Sequence, residues 1–213
     1  MIRLNRLTST AAVAALGLMA SACALLKSPD PVQAYRFGAT PAFAAGGQAA
    51  GCEPVTVALR RVEFADAARG DRILAITGAE AAYIGGARWV SEAETLFQAS
   101  LEDAFAAGAP CIRLAPGVFA RDGLVLSVDV RRFETTYASA DSAPQVRLVA
   151  VATLVRPGDR TIVGEHRTDV TEPVEVNRVS AIVAGYDRAN SQAVRQIVDW
   201  VAATAPGIAP AER

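Results

Sequence analysis

The stretch Leu124-Val125-Leu126-Ser127-Val128-Asp129-Val130-Arg131 alternates apolar with smaller or polar residues, and it decides the fold class. Leu124, Leu126, Val128 and Val130 fall on one face of an extended chain. Val125, Ser127, Asp129 and Arg131 fall on the other, so one face is buried and the other partly wet. Val146, Leu148, Ala150, Ala152 and Leu154 repeat the pattern. Pro157-Gly158-Asp159 turns the chain, and Thr161–Val170 reads as the returning strand. This region is therefore a set of long antiparallel strands.

Outward from it, the period changes. On the N-terminal side, Phe97, Leu101 and Phe105 recur at helical spacing, widened by Ala93, Leu96 and Ala104. Ser91-Glu92-Ala93-Glu94 reads as a capping box, with the Ser91 hydroxyl on the third helical amide and Glu94 returning the bond. Gly108 and Pro110 end this helix, and a strand over Cys111–Leu114 follows. On the C-terminal side, Val179, Ile182, Val183, Tyr186, Ala193, Val194, Ile197 and Val201 line one face of a long helix, 178–204, that Pro206-Gly207 ends.

Upstream, Val55, Val57 and Leu59 alternate as a strand, and Ile73–Thr77 and Ala82–Ile84 pair as a hairpin around 78–81. The order strands, helix, strands, helix predicts an α+β fold: one domain, a mainly antiparallel sheet, and two amphipathic helices packed on one face. The globular domain spans 52–205 and a flexible tail 206–213. Residues 23–51 form an Ala/Gly/Pro-rich tether that includes a short strand near 34–38, at Tyr35-Arg36-Phe37.

The first 22 residues carry Arg3 and Arg6, then an apolar run over Ala11–Ala20, then Ser21-Ala22-Cys23. A basic n-region, a short h-region and small residues make a secretory signal. Ten apolar residues are too few for a hydrocarbon core about 30 Å thick. Cysteine after Ala-Ser-Ala resembles a lipobox, in which the thiol takes the lipid and becomes the mature N-terminus; Ala20 departs from the usual aliphatic residue. The alternative is an ordinary secretory signal cut nearby, with Cys23 free. Ala24 after the cysteine, where aspartate is absent, leans by analogy toward the outer membrane over the inner. The expected address is the periplasmic side of the envelope, with Cys23 lipidated and the lipid as the membrane anchor.

The 213-residue chain has 21 Lys+Arg and 22 Asp+Glu. Cleavage after residue 22 removes two arginines and no acid, leaving 19 basic residues against 22 acidic. A net-negative chain without a basic stripe argues against nucleic acid as a partner. Cys52 and Cys111 remain as an even pair. In an oxidising compartment they read as a candidate disulfide closing a loop of about 60 residues; the alternative is two buried thiols.

Chemistry-bearing motifs are sparse. The one histidine, His166, sits between Glu165 and Arg167 on the returning strand and reads as an exposed strand residue. Pairing it with Cys111 as a nucleophile would consume the disulfide. No nucleophile elbow, P-loop or dinucleotide fingerprint occurs, and no set of zinc ligands. Glu102-Asp103 reads as a solvated helix face. The expectation is a binding or structural protein, with no catalytic residues, cofactor or metal.

The chain resembles the ABC-type transport auxiliary lipoproteins. Order and spacing carry the likeness: Cys23, Tyr35-Arg36-Phe37, Val55–Leu59, Arg88-Trp89-Val90-Ser91 entering Leu96–Phe105, Leu126–Phe133, Val146–Leu154 and Ile197-Val198-Asp199-Trp200-Val201. An Ala/Gly stretch over Pro41–Gly51 and the Cys52/Cys111 pair are departures. The resemblance implies a non-enzymatic component of a lipid-transport machine. Its partners would be an ABC permease, its ATPase and an Mce-domain substrate-binding protein, and it would dock that assembly at the outer membrane, alone or as a homo-oligomer. Trp89 and Trp200 match family positions and read as core packing. The competing reading is an outer-membrane or cell-wall assembly lipoprotein, acting as a chaperone or an activator; a hydrolase would need a nucleophile constellation the chain does not display.

Overall fold

The computed structural model describes residues 31–44, 51–116, 123–139 and 141–207. Cys23, the signal segment, part of the tether and the last six residues lie outside the described residues. The folded unit runs from Gln33 onward.

The sheet is built around one strand. In chain order the strands are β1 (Gln33–Tyr35), β2 (Val55–Leu59), β3 (Glu63–Phe64), β4 (Arg72–Thr77), β5 (Glu80–Trp89), β6 (Ile112–Pro116), β7 (Leu124–Tyr137), β8 (Gln145–Arg156) and β9 (Thr161–Pro173). On one side β7 pairs antiparallel with β8 from Val125↔Val155 to Thr136↔Gln145, and β8 pairs antiparallel with β9. On its other side β7 is shared out. β2 takes its start (Ala58↔Val125), β3 its middle (Glu63↔Asp129) and β4 its end (Ile76↔Thr136), all in parallel. β6 then pairs with β2 and β1 with β5 in parallel, and the β4–β5 hairpin is antiparallel.

The fold is thus α+β, as the periodicity implies, on a mixed sheet. Its long ladders are antiparallel and come from adjacent hairpins. Its short parallel pairings join segments distant in sequence, which leave no periodic signal of their own.

Two helices, α1 (Ala93–Gly108) and α2 (Val179–Thr204), touch each other. Phe97, Leu101, Ala104 and Phe105 of α1 and Ile182, Tyr186, Ala193, Val194, Ile197 and Val201 of α2 are buried in one cluster. It also holds Leu126, Val128, Val130, Phe133, Leu148, Ala150, Ala152 and Leu154 of the sheet. A knot of aromatic rings sits at its centre. Phe133 lies 4.7 Å from Tyr186 and 5.0 Å from Phe37 between centroids, and Trp89 meets Phe37 edge-on at 5.0 Å. Edge-on and tilted rings at these spacings align the positive ring edge with the negative face, which adds to plain burial.

The start of α1 corrects the sequence reading. The N-cap is Glu92 and no side chain caps the helix. The Ala93 N–H instead donates to the Gly70 carbonyl at 3.1 Å. Glu94 turns inward and pairs with Arg61, so it cannot return the bond that a capping box requires.

Candidate functional site

The cysteine pair stands at the mouth of the sheet. Cys52 and Cys111 are joined, with Cα atoms 5.8 Å apart, just before β2 and β6 begin. The Val55 N–H donates to the Cys111 carbonyl at 2.9 Å, which opens the parallel ladder between those strands. The bond clips together two strands more than fifty residues apart in the chain, where parallel pairing has no tight turn to support it.

The N-terminal segment is strapped to α2. Phe37 enters the core, and Gly38 follows at φ +79°, a conformation favouring glycine, against Ser100. The Asp187 carboxylate accepts the Ala39 N–H at 2.8 Å and the Thr40 N–H at 3.2 Å, and the Thr40 hydroxyl also donates to it. The Arg195 guanidinium lies 4.8 Å above the Phe43 ring. These contacts hold residues 39–43 against α2. The short strand expected near 34–38 overlaps β1 but lies earlier, at Gln33–Tyr35, with Arg36 and Phe37 past its end, and no local motif announces Asp187 as the segment's anchor.

The face of the sheet turned away from the helices carries a lattice of charge. Asp169 accepts from Arg147 and Arg167, each at 3.2 Å. Arg132 pairs with Glu134 at 3.0 Å and Arg131 with Asp129 at 3.1 Å. The Arg147 hydrogen bond, followed by attraction to both arginines, holds the Asp169 carboxyl below the usual carboxylate range. Val149 and Val151 lie between these residues in the register and are 1% and 5% exposed, although they are outside the helix-covered core. The flanking stems cover them while the charged heads stay at the surface. Ion pairs of this kind contribute little to stability.

A second feature is a cleft of about 610 Å³ between the β3 segment and the start of α1, bounded by Arg61, Glu63, Phe64, Asp66, Arg69 and Glu94. Its charges have both signs. Among the described residues no group of three or more His, Cys, Asp or Glu is placed to hold a metal.

His166 departs from its expected exposure. It is half-buried and stacks on Trp200, with centroids 5.6 Å apart and planes 18° from parallel, and its Nε2 makes no hydrogen bond. Gly164 beside it leaves the room the indole needs, since a Cβ there would stand 3.1 Å from Trp200. Cys111 is committed to the bridge, so the Cys111–His166 pair does not assemble. Trp89 is core, at 2% exposure, and Trp200 is half-buried against the core edge. Among the described residues no helix is long and apolar enough to cross a membrane.

The arrangement is one of surfaces and straps, and comparisons with known proteins place it. The family model for the ABC-type transport auxiliary lipoprotein component matches residues 35–198. A crystal structure of a protein from Xanthomonas campestris matches with a TM-score of 0.67 and 24% identity, over 81% of this chain and 96% of that one. An uncharacterized protein matches with a TM-score of 0.63 and 13% identity, over 80% and 99%. A hypothetical protein from Chlamydia trachomatis reaches 0.50 and 10% identity, over 71% and 98%. A search of curated sequences finds no match. The three structures share the fold. The family match, which runs from the first strand into the long helix, does more: this chain belongs to the ABC-type transport auxiliary lipoprotein component family.

Proposed function

We propose that this protein is a non-enzymatic auxiliary part of an Mce-type ABC system that moves lipid between the two membranes of the envelope, and that it docks the transport assembly at the outer membrane. The observation that carries this reading is the family match over 35–198, nearly the whole folded unit. Cys23 would carry the lipid, and Cys52–Cys111 would form in the oxidising periplasm. The partners would be the Mce-domain substrate-binding protein, the permease and the ATPase.

Tether length favours docking over shuttling. The folded unit begins at Gln33, ten residues after Cys23. Such a segment spans at most about 33 Å at ~3.3 Å per residue. The domain therefore works beside one membrane and meets what comes to it. Its charged sheet face offers a surface for that meeting.

Two measurements test the reading. Cys23→Ser should abolish palmitate labelling and release the protein to the soluble periplasmic fraction. Deleting the gene should reproduce the permeability defect of a permease deletion, with the double deletion no worse. A purified protein that alone extracts phospholipid from vesicles and delivers it to acceptor vesicles would replace docking with a carrier.

A further inference from the structure

Asp169 and Glu94 both bind arginine, and they differ in how completely. Asp169, at the surface, accepts from two guanidinium groups, Arg147 and Arg167, each at 3.2 Å. Glu94 is far more buried, with 6% of its side chain exposed, and pairs with Arg61 alone. That bond uses Oε1, and Oε2 has no hydrogen-bond partner among the described residues. Arg61 itself is 74% exposed, so most of the charge that answers Glu94 stays in solvent. A carboxylate withdrawn from water needs its lone pairs filled, and here one of its two oxygens is open.

Glu94 lines the cleft of about 610 Å³ beside β3, a volume that holds a side chain or a small ligand. Both walls are fixed by the main chain. The Ala65 N–H donates to the Val130 carbonyl at 3.0 Å, and the Ala93 N–H, at the start of α1, donates to the Gly70 carbonyl. Gly70 faces open space, since a Cβ there would meet nothing within 4 Å. The charges do not balance. Arg61 answers Glu94 and Arg69 answers Asp66 at 3.3 Å, while Glu63 and Glu92, both exposed, have no ion pair among the described residues. This excess of carboxylates calls for a cation, and Glu92 and Glu94 also offset the positive end of α1.

The kind of cation follows from the donors and the walls. No three His, Cys, Asp or Glu among the described residues are placed to hold a metal. A lipid ammonium group would bring acyl chains, and the cleft's apolar residues, Val62 and Phe64, are 1% and 7% exposed, which leaves those chains no wall. A guanidinium needs none. Its planar fork carries several donors, enough to reach Glu94 Oε2 and a second carboxylate at once. Arg61 shows that the Glu94 carboxylate takes a guanidinium, and Asp169 shows that a carboxylate of this fold takes two.

We propose that this cleft is an arginine receptor: an arginine side chain of a partner polypeptide enters it, donates to Glu94 Oε2, and is held at the rim by Glu92 or Glu63. This deepens the docking reading and rests on it for the source of the arginine. Arg61 stays on Oε1, so no ion pair is broken on entry. One charge-assisted contact of this kind is weak by itself. It acts as an anchor within a larger interface, where arginine is among the favoured anchor residues.

Titration of the full-length, detergent-solubilised protein with a capped Gly-Arg-Gly peptide tests the site, with the Gly-citrulline-Gly peptide as its neutral isostere. Nuclear magnetic resonance should show saturable shifts at the Gly70, Glu92 and Glu94 amides with the arginine peptide only. Glu94→Gln should weaken binding about tenfold. Gly70→Leu, which fills the cleft from a position with open space around it, should abolish binding, and that readout stands even where the Glu94 variant folds poorly. In cells, a benzophenone amino acid in place of Gly70 should cross-link to a polypeptide through a peptide that contains arginine, and replacing that arginine by glutamine should remove the cross-link. Equal shifts from the citrulline peptide, shifts that never saturate, or unchanged binding in Gly70→Leu overturn the proposal. So does tighter binding of phosphoethanolamine, which would make the cleft a lipid head-group site. Failure of the docking reading shows instead in the deletion phenotypes, which the peptide titration does not involve.

Discussion

The Tyr186 hydroxyl on α2 donates to the Leu74 carbonyl of β4 at 3.3 Å, across 112 residues of sequence. It also accepts from the Thr135 hydroxyl at 3.2 Å, so one phenol links the long helix to two strands. Complete burial, its leading cause, pushes the phenol's ionisation well above the ordinary tyrosine range. A raised folded-state value favours the neutral form in the fold. The resulting stability is full below the unfolded value near ~10 and is lost as pH rises toward the folded one. Tyr186→Phe should cost about 1–2 kcal/mol at neutral pH, since Thr135 and Leu74 lose a buried partner. It should also flatten the alkaline loss of stability. Urea unfolding at neutral pH and just above pH ~10 checks both, and parallel alkaline losses in the two proteins would refute the account.

Gly185 is a point of close approach of α2 to the sheet side. A Cβ there would stand 3.0 Å from Val174 Cγ2 and 3.1 Å from Val146 Cγ2. Alanine is better than glycine inside a helix by about 1 kcal/mol. Overpacking a tight core costs about 1–3 kcal/mol, so Gly185→Ala should be a net loss of about 1 kcal/mol. Gly70→Ala, with nothing within 4 Å of the new methyl, should stay within ~0.5 kcal/mol of wild type. Thermal unfolding of the pair decides it; a stabilised Gly185→Ala would mean that the helix shifts freely on its bed.

The bond between Cys52 and Cys111 closes a loop with a sequence separation of 59. The chain-entropy model puts its contribution at about 4 kcal/mol. Cys52→Ser, Cys111→Ser and the double variant should unfold at one common midpoint, below wild type, and dithiothreitol should bring wild type down to it. A wild-type midpoint that ignores reductant would show that the bond adds nothing to the folded state.

Much of the architecture is legible in the one-dimensional pattern. The alternation over Leu124–Val130 and Val146–Leu154 belongs to real neighbours, because an antiparallel hairpin keeps sequence neighbours together and gives both strands one buried face. The i, i+4, i+8 spacing of Phe97, Leu101 and Phe105 marks α1 for the same reason: burying one stripe needs one period. Where a side chain had two uses, the pattern did not distinguish them. Glu94 has the spacing of a cap and serves Arg61 instead. His166 has the setting of an exposed strand residue and lies stacked on Trp200.

The sequence by itself determined the α+β class, the two amphipathic helices, the short strand at Tyr35 and the order of elements that marks the family. All of these rest on local periodicity. Tertiary structure alone decided that β7 shares its second edge among β2, β3 and β4, that Asp187 straps the N-terminal segment, and that Arg147, Arg167 and Asp169 meet on the uncovered face. Apart from the local Arg167–Asp169 pair, those contacts join residues tens to more than a hundred positions apart. Parallel pairing and side-chain hydrogen bonds across such distances leave no repeating mark along the chain, because their geometry exists only once the sheet has closed around its core.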